Sequence, residues 1–215
     1  MAIESIFLIL ILVFSVILHE IAHGYMAEAL GDSTARRSGR LTLNPLPHLD
    51  LWGSVIIPLI LLMTNAGFLI GWAKPVPYNP YNLRNAWWGE ALVAGAGPAM
   101  NIGIAFVFSI LLRVNAGADF LPSSFVDLTA SLVFINLLLA FFNLVPVPPL
   151  DGSKVLASFL PLHISRWLLP HAVVARFGLP FGFLLMFLFL FFLWPVFFAA
   201  VSWLFTLFTG VPLGV

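Results

Sequence analysis

Long apolar runs dominate this sequence and restrict it to very few kinds of fold. A helix needs about 20 mostly apolar residues to cross a lipid bilayer, and the chain contains five runs of this kind. They cover residues 5–30, 51–70, 91–112, 125–145 and 178–209. The last contains Pro195 and forms either one kinked helix or a span plus a half-span. We therefore predict an all-α polytopic membrane protein, a helix bundle of five to six membrane segments.

The composition agrees with this prediction and excludes several functional classes. Hydrophobic residues make up 61% of the chain and charged residues 8%, whereas soluble domains carry about 25% charged residues. Nine Lys and Arg balance nine Asp and Glu, so no basic face is available to bind nucleic acid or a membrane surface. The chain has no cysteine, which excludes disulfides, thiolate metal sites and cysteine nucleophiles. We expect a single integral membrane domain over residues 1–215.

Charged residues beside the first run predict its orientation. Gly31 ends the run, and Arg36, Arg37 and Arg40 follow it. Positively charged loops favour the cytoplasm, so we place the N-terminus outside and residues 31–50 inside. No basic segment precedes the run, so we expect a retained helix and not a cleaved signal peptide.

The first run carries the motif HEIAH at residues 19–23. Residues four apart lie above one another on a helix, so the imidazoles of His19 and His23 can bind the same cation. Glu20 lies about 100° around the helix and can reach a metal-bound water without being a ligand. Ionisable residues inside an apolar span are costly and functional by default. The motif therefore predicts a zinc hydrolase, in which zinc lowers the pKa of water and the carboxylate takes its proton.

A catalytic zinc site needs a third protein ligand and an open position for water. Most other carboxylates lie on the wrong helix face, in loops or at a helix mouth. Elimination leaves Asp50 and Asp151, with His48 as an outside option. Asp151 is the strongest of these because it follows three prolines within residues 146–149. Non-helical backbone at membrane depth is tolerated only where it lines a cavity or is buried in protein.

Five motifs in order along the chain resemble those of one family. They are HEIAH (residues 19–23), GRLTLNPLPHLD (39–50), GWAKPVPYNP (71–80), AGPAMN (96–101) and NLVPVPPLDG (143–152). Together they resemble the site-2 protease family of intramembrane zinc metalloproteases, and most closely its short bacterial branch without a PDZ domain. The resemblance covers the chain from about Ser15 to Lys154.

The resemblance implies roles for five residues. His19 and His23 match the two zinc-binding histidines of the family, and Glu20 matches its general base. Asp151 matches the aspartate that supplies the third ligand, so we expect one Zn²⁺ per chain. Asn143 matches the asparagine that stabilises the tetrahedral intermediate, and an amide donor of this kind is worth about 3 kcal/mol in comparable sites.

The resemblance also implies a function and a location. We expect hydrolysis of peptide bonds in or near the transmembrane segments of membrane-protein substrates, in the inner membrane of a bacterium. The catalytic core should cover about residues 5–155, followed by C-terminal membrane segments over 156–215. Asn101 of AGPAMN is expected to be structural, and no ligand role accompanies His48 or Asp50.

The order of the runs poses a problem of parity, because it restricts whether the chain crosses the membrane an odd or an even number of times between the first run and the third. His23 lies near the inner end of its run and Asp151 follows the inner end of the fourth, so these runs should be parallel and the third should be opposite. A single crossing by residues 51–70 is incompatible with this order. Either that run is re-entrant, or GWAKPVPYNPYN inserts into the membrane as a hairpin, as a strand region does in site-2 proteases. We predict the small membrane-inserted β-hairpin.

Small residues recur on one side of the third run. Gly95, Ala99 and Gly103 follow one another at intervals of four. Small residues at this spacing let a second helix approach closely, so we predict a helix–helix contact along this ridge.

Two other classes of protein could use the same ligands. A membrane transporter could bind a metal ion in transit, since proton-coupled carriers use intramembrane His and Asp. A purely structural zinc site would need four protein ligands and no open position. A transit site needs no general base beside its ligands, so Glu20 favours a protease over a transporter.

Overall fold

The computed structural model describes residues 2–64, 71–85, 88–161, 164 and 179–213. The regular elements in these ranges are helical, and no β-strand occurs among them. The described α-helices are α1 (Ala2–Ala29), α2 (Thr34–Arg37), α3 (Ile57–Met63), α4 (Trp88–Ala118), α5 (Ser123–Asn143), α6 (Asp151–Phe159) and α7 (Leu179–Thr209). Short 3-10 turns cover Leu46–His48 and Pro80–Asn82, and a π-helical turn covers Leu51–Ile56. The predicted all-α class is confirmed for the part of the chain described.

Four of these helices are long and apolar enough to cross a membrane. The candidate spans are Ile6–Ala29, Trp88–Ala118, Ser123–Asn143 and Phe191–Thr209. They coincide with the first, third, fourth and last apolar runs of the sequence. The last run, for which two arrangements were open, forms one continuous helix, α7, with Pro195 inside it.

Contacts at the helix ends establish the directions of the spans. The N–H of Arg84, just before α4, donates to the carbonyl of Leu30, just after α1 (2.8 Å). The guanidinium of Arg113, near the end of α4, donates to the carbonyl of Phe208, near the end of α7 (2.6 Å). Residues 119–122 form a short connection from α4 to α5, which makes these two helices antiparallel neighbours. Helices α1 and α5 are therefore parallel, and α4 and α7 run the other way, as the parity argument requires.

The apolar core lies between α4, α5 and α7. Its buried members include Ala105 of α4, Leu137 of α5 and Val201 of α7. Lipid is as apolar as these side chains, so van der Waals packing holds the helices together here. Helix α1 packs instead against the first half of α4, where Ala27 and Val93 are buried. The HEIAH histidines of α1 lie near this contact between α1 and α4.

The predicted small-residue ridge on α4 is wrong. A Cβ added at Gly95 or Gly103 would meet no described atom within 4 Å, and Ala99 is exposed. The buried small residues of α4 lie on another face and include Gly97 and Ala105. A four-residue spacing identifies positions on one helix face, but the packing of the whole bundle decides which face meets a neighbour.

After the second apolar run, the chain at Trp72 lies beside the residues with which that run begins. Asp50 caps the π-helical turn Leu51–Ile56, and α3 continues the helix from it. The last part of the run, residues 65–70, lies outside the described residues. Trp72 then donates its N–H to the carbonyl of Gly53 (3.1 Å). The chain has therefore come back to the point at which the run began.

Residues 71–79 contain no helix or strand, and Pro75 and Pro77 prevent a helix and favour an extended backbone, so we call these residues the extended segment. Arg40, in the loop after α2, is buried and holds this segment from one side. Its guanidinium donates to the carbonyls of Lys74 (2.7 Å) and Pro75 (2.9 Å). The described residues of this region contain no strand, so the β-hairpin stays a prediction.

Asp32 ties the same segment to the end of α1. Its carboxylate is fully buried and accepts hydrogen bonds from the N–H of Asn79 (2.7 Å), the amide of Asn82 (2.8 Å) and the hydroxyl of Thr34 (2.6 Å). Burial alone would raise the pKa of Asp32, but these hydrogen bonds outweigh it and hold the pKa below its usual value. The extended segment is thus held in its middle by Arg40 and at its end by Asp32.

Candidate metal centre

The two histidines of HEIAH lie on one face of α1, as their spacing predicts. The ring centroids are 4.6 Å apart, and the rings meet edge to face. His19 is 6% exposed and His23 is 9% exposed, so both imidazoles are inside the protein. His23 precedes the end of α1 at Ala29 by about 9 Å along the helix axis.

Asp151 joins these histidines from a distant part of the chain. Its Oδ2 atom lies 3.2 Å from Nε2 of His19 and 3.2 Å from Nε2 of His23. One potential ligand atom from each residue lies within 4.8 Å of the other two, which is close enough for one ion to contact all three. The structure therefore brings the three predicted metal ligands together.

The turn between α5 and α6 determines the position of Asp151. Helix α5 ends at Asn143, and the prolines within residues 146–149 keep the chain from continuing it. Asp151 is the first residue of α6. A Cβ at the next residue, Gly152, would lie 2.1 Å from the carbonyl oxygen of Leu144. No side chain fits there, so the glycine allows the turn to close tightly behind the aspartate.

The two other candidates for the third ligand have different roles. His48 is buried, and its Nε2 lies 3.0 Å from the carbonyl of Thr42 within its own loop. The Asp50 carboxylate caps the π-helical turn by accepting hydrogen bonds from the N–H groups of Trp52 (3.1 Å) and Gly53 (2.7 Å). Neither belongs to the group of potential ligands around His19.

Each histidine has a partner that orients its ring. Nδ1 of His23 lies 2.7 Å from the carbonyl oxygen of Val93, and Nδ1 of His19 lies 2.6 Å from Oδ1 of Asn101. An oxygen acceptor at Nδ1 requires the proton on that nitrogen and leaves the Nε2 lone pair free to bind a metal. Asn101 was expected to be structural, and the structure shows that it also contacts a potential ligand.

Gly97 of α4 provides the space in front of the two imidazoles. A Cβ at this position would lie 2.5 Å from Nε2 of His23 and 2.6 Å from Nε2 of His19. The helix backbone thus approaches the two Nε2 atoms as closely as a residue without a side chain permits. Two imidazole nitrogens and a carboxylate oxygen match the ligand types and number of catalytic zinc sites, so the residues present fit zinc.

Glu20 lies beside this group but is not one of its members. Its Oε2 accepts a hydrogen bond of 2.8 Å from the N–H of Val76 in the extended segment. A cavity of about 440 Å³ is lined by the three potential ligands together with Glu20, Val76 and Asn143. The predicted catalytic residues and the predicted metal ligands therefore face the same space.

Asn143 borders the cavity from the end of α5. Its Nδ2 donates to the carbonyl of Leu139 in the preceding turn (2.9 Å). A primary amide has two N–H groups, so this contact leaves a second donor for a partner in the cavity. Its role in catalysis stays a prediction.

Sequence analysis missed Lys154 and Tyr78 as neighbours of the site. Nζ of Lys154 lies 4.0 Å from Oδ1 of Asp151 and 5.4 Å from the centre of the Tyr78 ring. Lys154 follows Asp151 by three residues, and this spacing places two side chains on one helix face. The spacing could have predicted the lysine, whereas Tyr78 reaches the site through the path of the extended segment.

Relatives with related names share most of this chain. YwhC of Bacillus subtilis is 39% identical over 160 residues, covering 72% of this chain and 69% of the relative. Rip2 of Mycobacterium tuberculosis is 30% identical over 197 residues, covering 90% of this chain and 70% of the relative. Rip2 of Mycolicibacterium smegmatis is 32% identical, and the chain spans 58% of its length. All three carry names that designate them candidate zinc metalloproteases.

A family model gives the same result. The model of peptidase family M50 matches residues 112–189, which include Asp151 and Asn143. No solved structure matches the chain significantly. The extent and identity of the similarity to YwhC and Rip2 establish that the chain belongs to peptidase family M50, the site-2 protease family that its motifs resemble.

Proposed function

We propose that this protein is an intramembrane zinc metalloprotease that hydrolyses peptide bonds in or near the transmembrane segments of membrane-protein substrates. One observation carries the proposal. A buried group of two imidazoles and a carboxylate shares a cavity with a further carboxylate, that of Glu20, on the residue next to His19. A metal site that did no chemistry would have no use for this additional carboxylate.

His19, His23 and Asp151 would hold a single zinc ion. When bound, zinc supplies Lewis acidity that activates water and polarises the carbonyl to be attacked. The contacts at Nδ1 of the two histidines support this assignment, since they direct both Nε2 lone pairs to the place that Oδ2 of Asp151 also faces.

Glu20 is the proposed general base, and general bases contribute about 10²- to 10⁴-fold to rates. Its carboxylate takes a proton from the attacking water and delivers it to the leaving amine. The N–H of Val76 holds one oxygen of this carboxylate in a fixed direction. Asn143 is the proposed donor to the oxyanion, with the N–H that is not bonded to Leu139.

The substrate follows from the position of the site. His19 and His23 lie inside a candidate membrane span, so a peptide bond that reaches them must come from a membrane segment. A helical substrate hides its carbonyls in hydrogen bonds to the residue four positions on, and therefore has to unwind before attack. The lipid bilayer and a transmembrane protein substrate are the partners that we propose, in the plasma membrane of a bacterium.

We also propose that residues 51–70 form a re-entrant membrane-inserted region, which is one of the two arrangements that the sequence left open. Together with the four candidate spans this gives five to six membrane segments, and the β-hairpin predicted for GWAKPVPYNPYN (71–82) is part of the proposal. The hydrogen bond between Trp72 and Gly53 supports a re-entrant path, because a segment whose ends meet makes no net crossing.

Single cysteines test this topology cleanly, because the chain has none of its own. Ser38 and Tyr81 are both exposed and lie on either side of the inserted region. In the variants Ser38→Cys and Tyr81→Cys, an impermeant thiol reagent should label both in inside-out vesicles and neither in intact spheroplasts. Labelling from opposite sides would show that the region crosses the membrane.

The experiment for the activity is Glu20→Gln in purified protein with a reporter transmembrane substrate. Bound zinc should be unchanged, while cleavage falls at least about 100-fold. Glu28→Gln is the matched control, since Glu28 lies on the same helix but pairs with Arg36 away from the cavity. Cleavage that survives in the Glu20 variant would exclude the proposed mechanism. The transporter alternative gains no support, because neither the base at Glu20 nor the names of the relatives point to transport.

A further inference from the structure

Three buried polar residues, one from each of α1, α4 and α5, form a network behind the metal centre, and none of them lines the cavity. Asn101 of α4 and Asn136 of α5 are both fully buried, and Ser15 of α1 is 4% exposed. The network continues to Nδ1 of His19. Unpaired polar groups are costly at this depth, so the way in which these groups pair is strongly determined.

The main-chain carbonyls of Leu132 and Ser15 can only accept hydrogen bonds, so they determine the direction of each hydrogen bond in the network. Nδ2 of Asn136 lies 2.9 Å from the carbonyl of Leu132, so the amide nitrogen faces that carbonyl. The same nitrogen donates to Oγ of Ser15 (2.9 Å). Both donors of the Asn136 amide are then in use, and its Oδ1 is left as an acceptor.

The acceptor oxygens of Asn136 and Ser15 orient the amide of Asn101. Its Nδ2 donates to Oδ1 of Asn136 (2.8 Å) and to the carbonyl of Ser15 at a longer distance (3.3 Å). Its Oδ1 must therefore point the other way, towards Nδ1 of His19 at 2.6 Å. An oxygen there favours the proton of His19 on Nδ1, which leaves the lone pair of Nε2, 3.2 Å from Oδ2 of Asp151, for a metal ion that both residues would bind.

We propose that Asn136 is a positioning residue for the metal centre. It acts through Asn101 and holds His19 in the tautomer whose Nε2 can bind zinc. The inference rests on the proposed function and adds to it a residue that contacts neither the metal ligands nor the cavity.

The reverse orientation of Asn101 explains why Asn136 matters. If this amide turned over, its N–H₂ group would face His19 and stabilise the tautomer with the proton on Nε2, which cannot bind a metal. In the native protein that turn would set Oδ1 of Asn101 against two other oxygens, those of Asn136 and Ser15. Without Asn136, only the weaker contact to the Ser15 carbonyl opposes it.

The other histidine needs no such network. Nδ1 of His23 is paired with the main-chain carbonyl of Val93, which cannot turn over. The two ligands on α1 are therefore oriented by different means, and the orientation of His19 depends on side chains that substitution can change.

The first test is Asn136→Leu, which removes the amide and keeps a side chain of similar size. We expect zinc affinity, measured by competition with a chelator, to fall about 10- to 100-fold, as is typical for partners of metal ligands. Ring ¹⁵N chemical shifts of the metal-free protein should show His19 moving towards the Nε2-protonated form. The control Asn115→Leu changes a buried asparagine of α4 that lies about 21 Å along that helix from Asn101, and it should leave both readouts unchanged.

The second test separates positioning from a general effect on packing. Asp at position 101 has no N–H to turn towards His19, so Asn101→Asp should fix the tautomer without help from Asn136. The double variant N101D/N136L should then bind zinc within about threefold of N101D alone. An equal loss from N136L in both backgrounds would identify a packing effect and overturn the proposal.

A smaller substitution covers the case in which Asn136→Leu does not fold. Ser15→Ala removes the hydroxyl that holds the Asn136 amide and should weaken zinc binding several-fold, with the same change in the His19 shifts. Unchanged affinity and unchanged shifts in this variant would also overturn the proposal. If instead the wild-type protein bound no zinc, the proposed function itself would fail, so the two failures are distinguishable.

Discussion

The main-chain N–H of Val76 donates a hydrogen bond of 2.8 Å to Oε2 of Glu20, although 56 residues separate the two. Val76 lies between Pro75 and Pro77, which have no N–H, so it is the one backbone donor among these three residues. Arg40 holds the carbonyls of the two residues before it. The extended segment thereby presents a single, fixed donor to the carboxylate that we propose as the base.

The first prediction concerns this donor. Val76→Pro removes the N–H and is compatible with an extended backbone. We expect kcat for a reporter substrate to fall about 10- to 100-fold, because a hydrogen bond to a charged group is worth about 1.5–3 kcal/mol. Zinc content should stay the same. Val76→Ala keeps the N–H and should retain most of the activity, so an equal loss in both variants would indicate a packing effect at this buried residue.

The second prediction concerns Gly97. Gly97→Ala would place a methyl carbon 2.5 Å from Nε2 of His23 and 2.6 Å from Nε2 of His19, which is closer than non-bonded atoms can approach. We expect bound zinc and cleavage to be lost while the helical content, measured by circular dichroism, is retained. Gly95→Ala changes the same helix two residues earlier, where no described atom is within 4 Å. It should leave zinc binding intact and stabilise the protein by about 0.5–1 kcal/mol. Normal zinc binding by the Gly97 variant would contradict the assigned site.

The third prediction concerns the third ligand. Asp151→Asn removes the carboxylate charge and should weaken zinc binding more than the roughly 10- to 100-fold typical of changes outside the ligand set. A chelator should inactivate the wild-type protein, and added zinc should restore its activity. Asp127→Asn provides the comparison, because Asp127 is exposed near the start of α5, at the far end of the bundle. Equal zinc affinity in the two variants would mean that another group completes the site.

The fourth prediction concerns Asp32 and the stability of the fold. At neutral pH, Asp32→Asn should lower the free energy of unfolding by about 1–3 kcal/mol, because an amide group replaces an acceptor of several hydrogen bonds. Thermal unfolding in detergent measures this difference. Asp119→Asn is the control, since Asp119 is exposed and has a positive φ of 46° that asparagine adopts readily.

The pH dependence of that difference has a definite sign. The pKa of Asp32 is lower in the folded than in the unfolded protein, so the unfolded state binds more protons in acid. The stabilisation is complete above the unfolded-state pKa of about 4 and is lost as the pH falls through the folded-state pKa. The difference in the free energy of unfolding between the wild type and Asp32→Asn should therefore become smaller below about pH 4. A difference that becomes larger in acid would contradict the assigned hydrogen bonds.

Local patterns in the sequence were sufficient for much of this protein. The length of the apolar runs predicted the four helices that can cross a membrane, because the thickness of the bilayer sets a minimum length. The spacing in HEIAH placed His19 and His23 on one face, because helical periodicity is a local property. The prolines before Asp151 marked a break at membrane depth and narrowed the choice of third ligand.

Other features depend on how whole helices rotate and pack against one another. Asp151 meets His19 because α1 and α5 are parallel and end at the same level, a relation between segments 132 residues apart. Gly97 faces the site while Gly95 faces open space, and nothing in the spacing of these glycines distinguishes them. Asn136 matters because its amide meets that of Asn101 across two helices. Periodicity shows which residues share a face, but the direction of that face is set by the packing energy of the entire bundle.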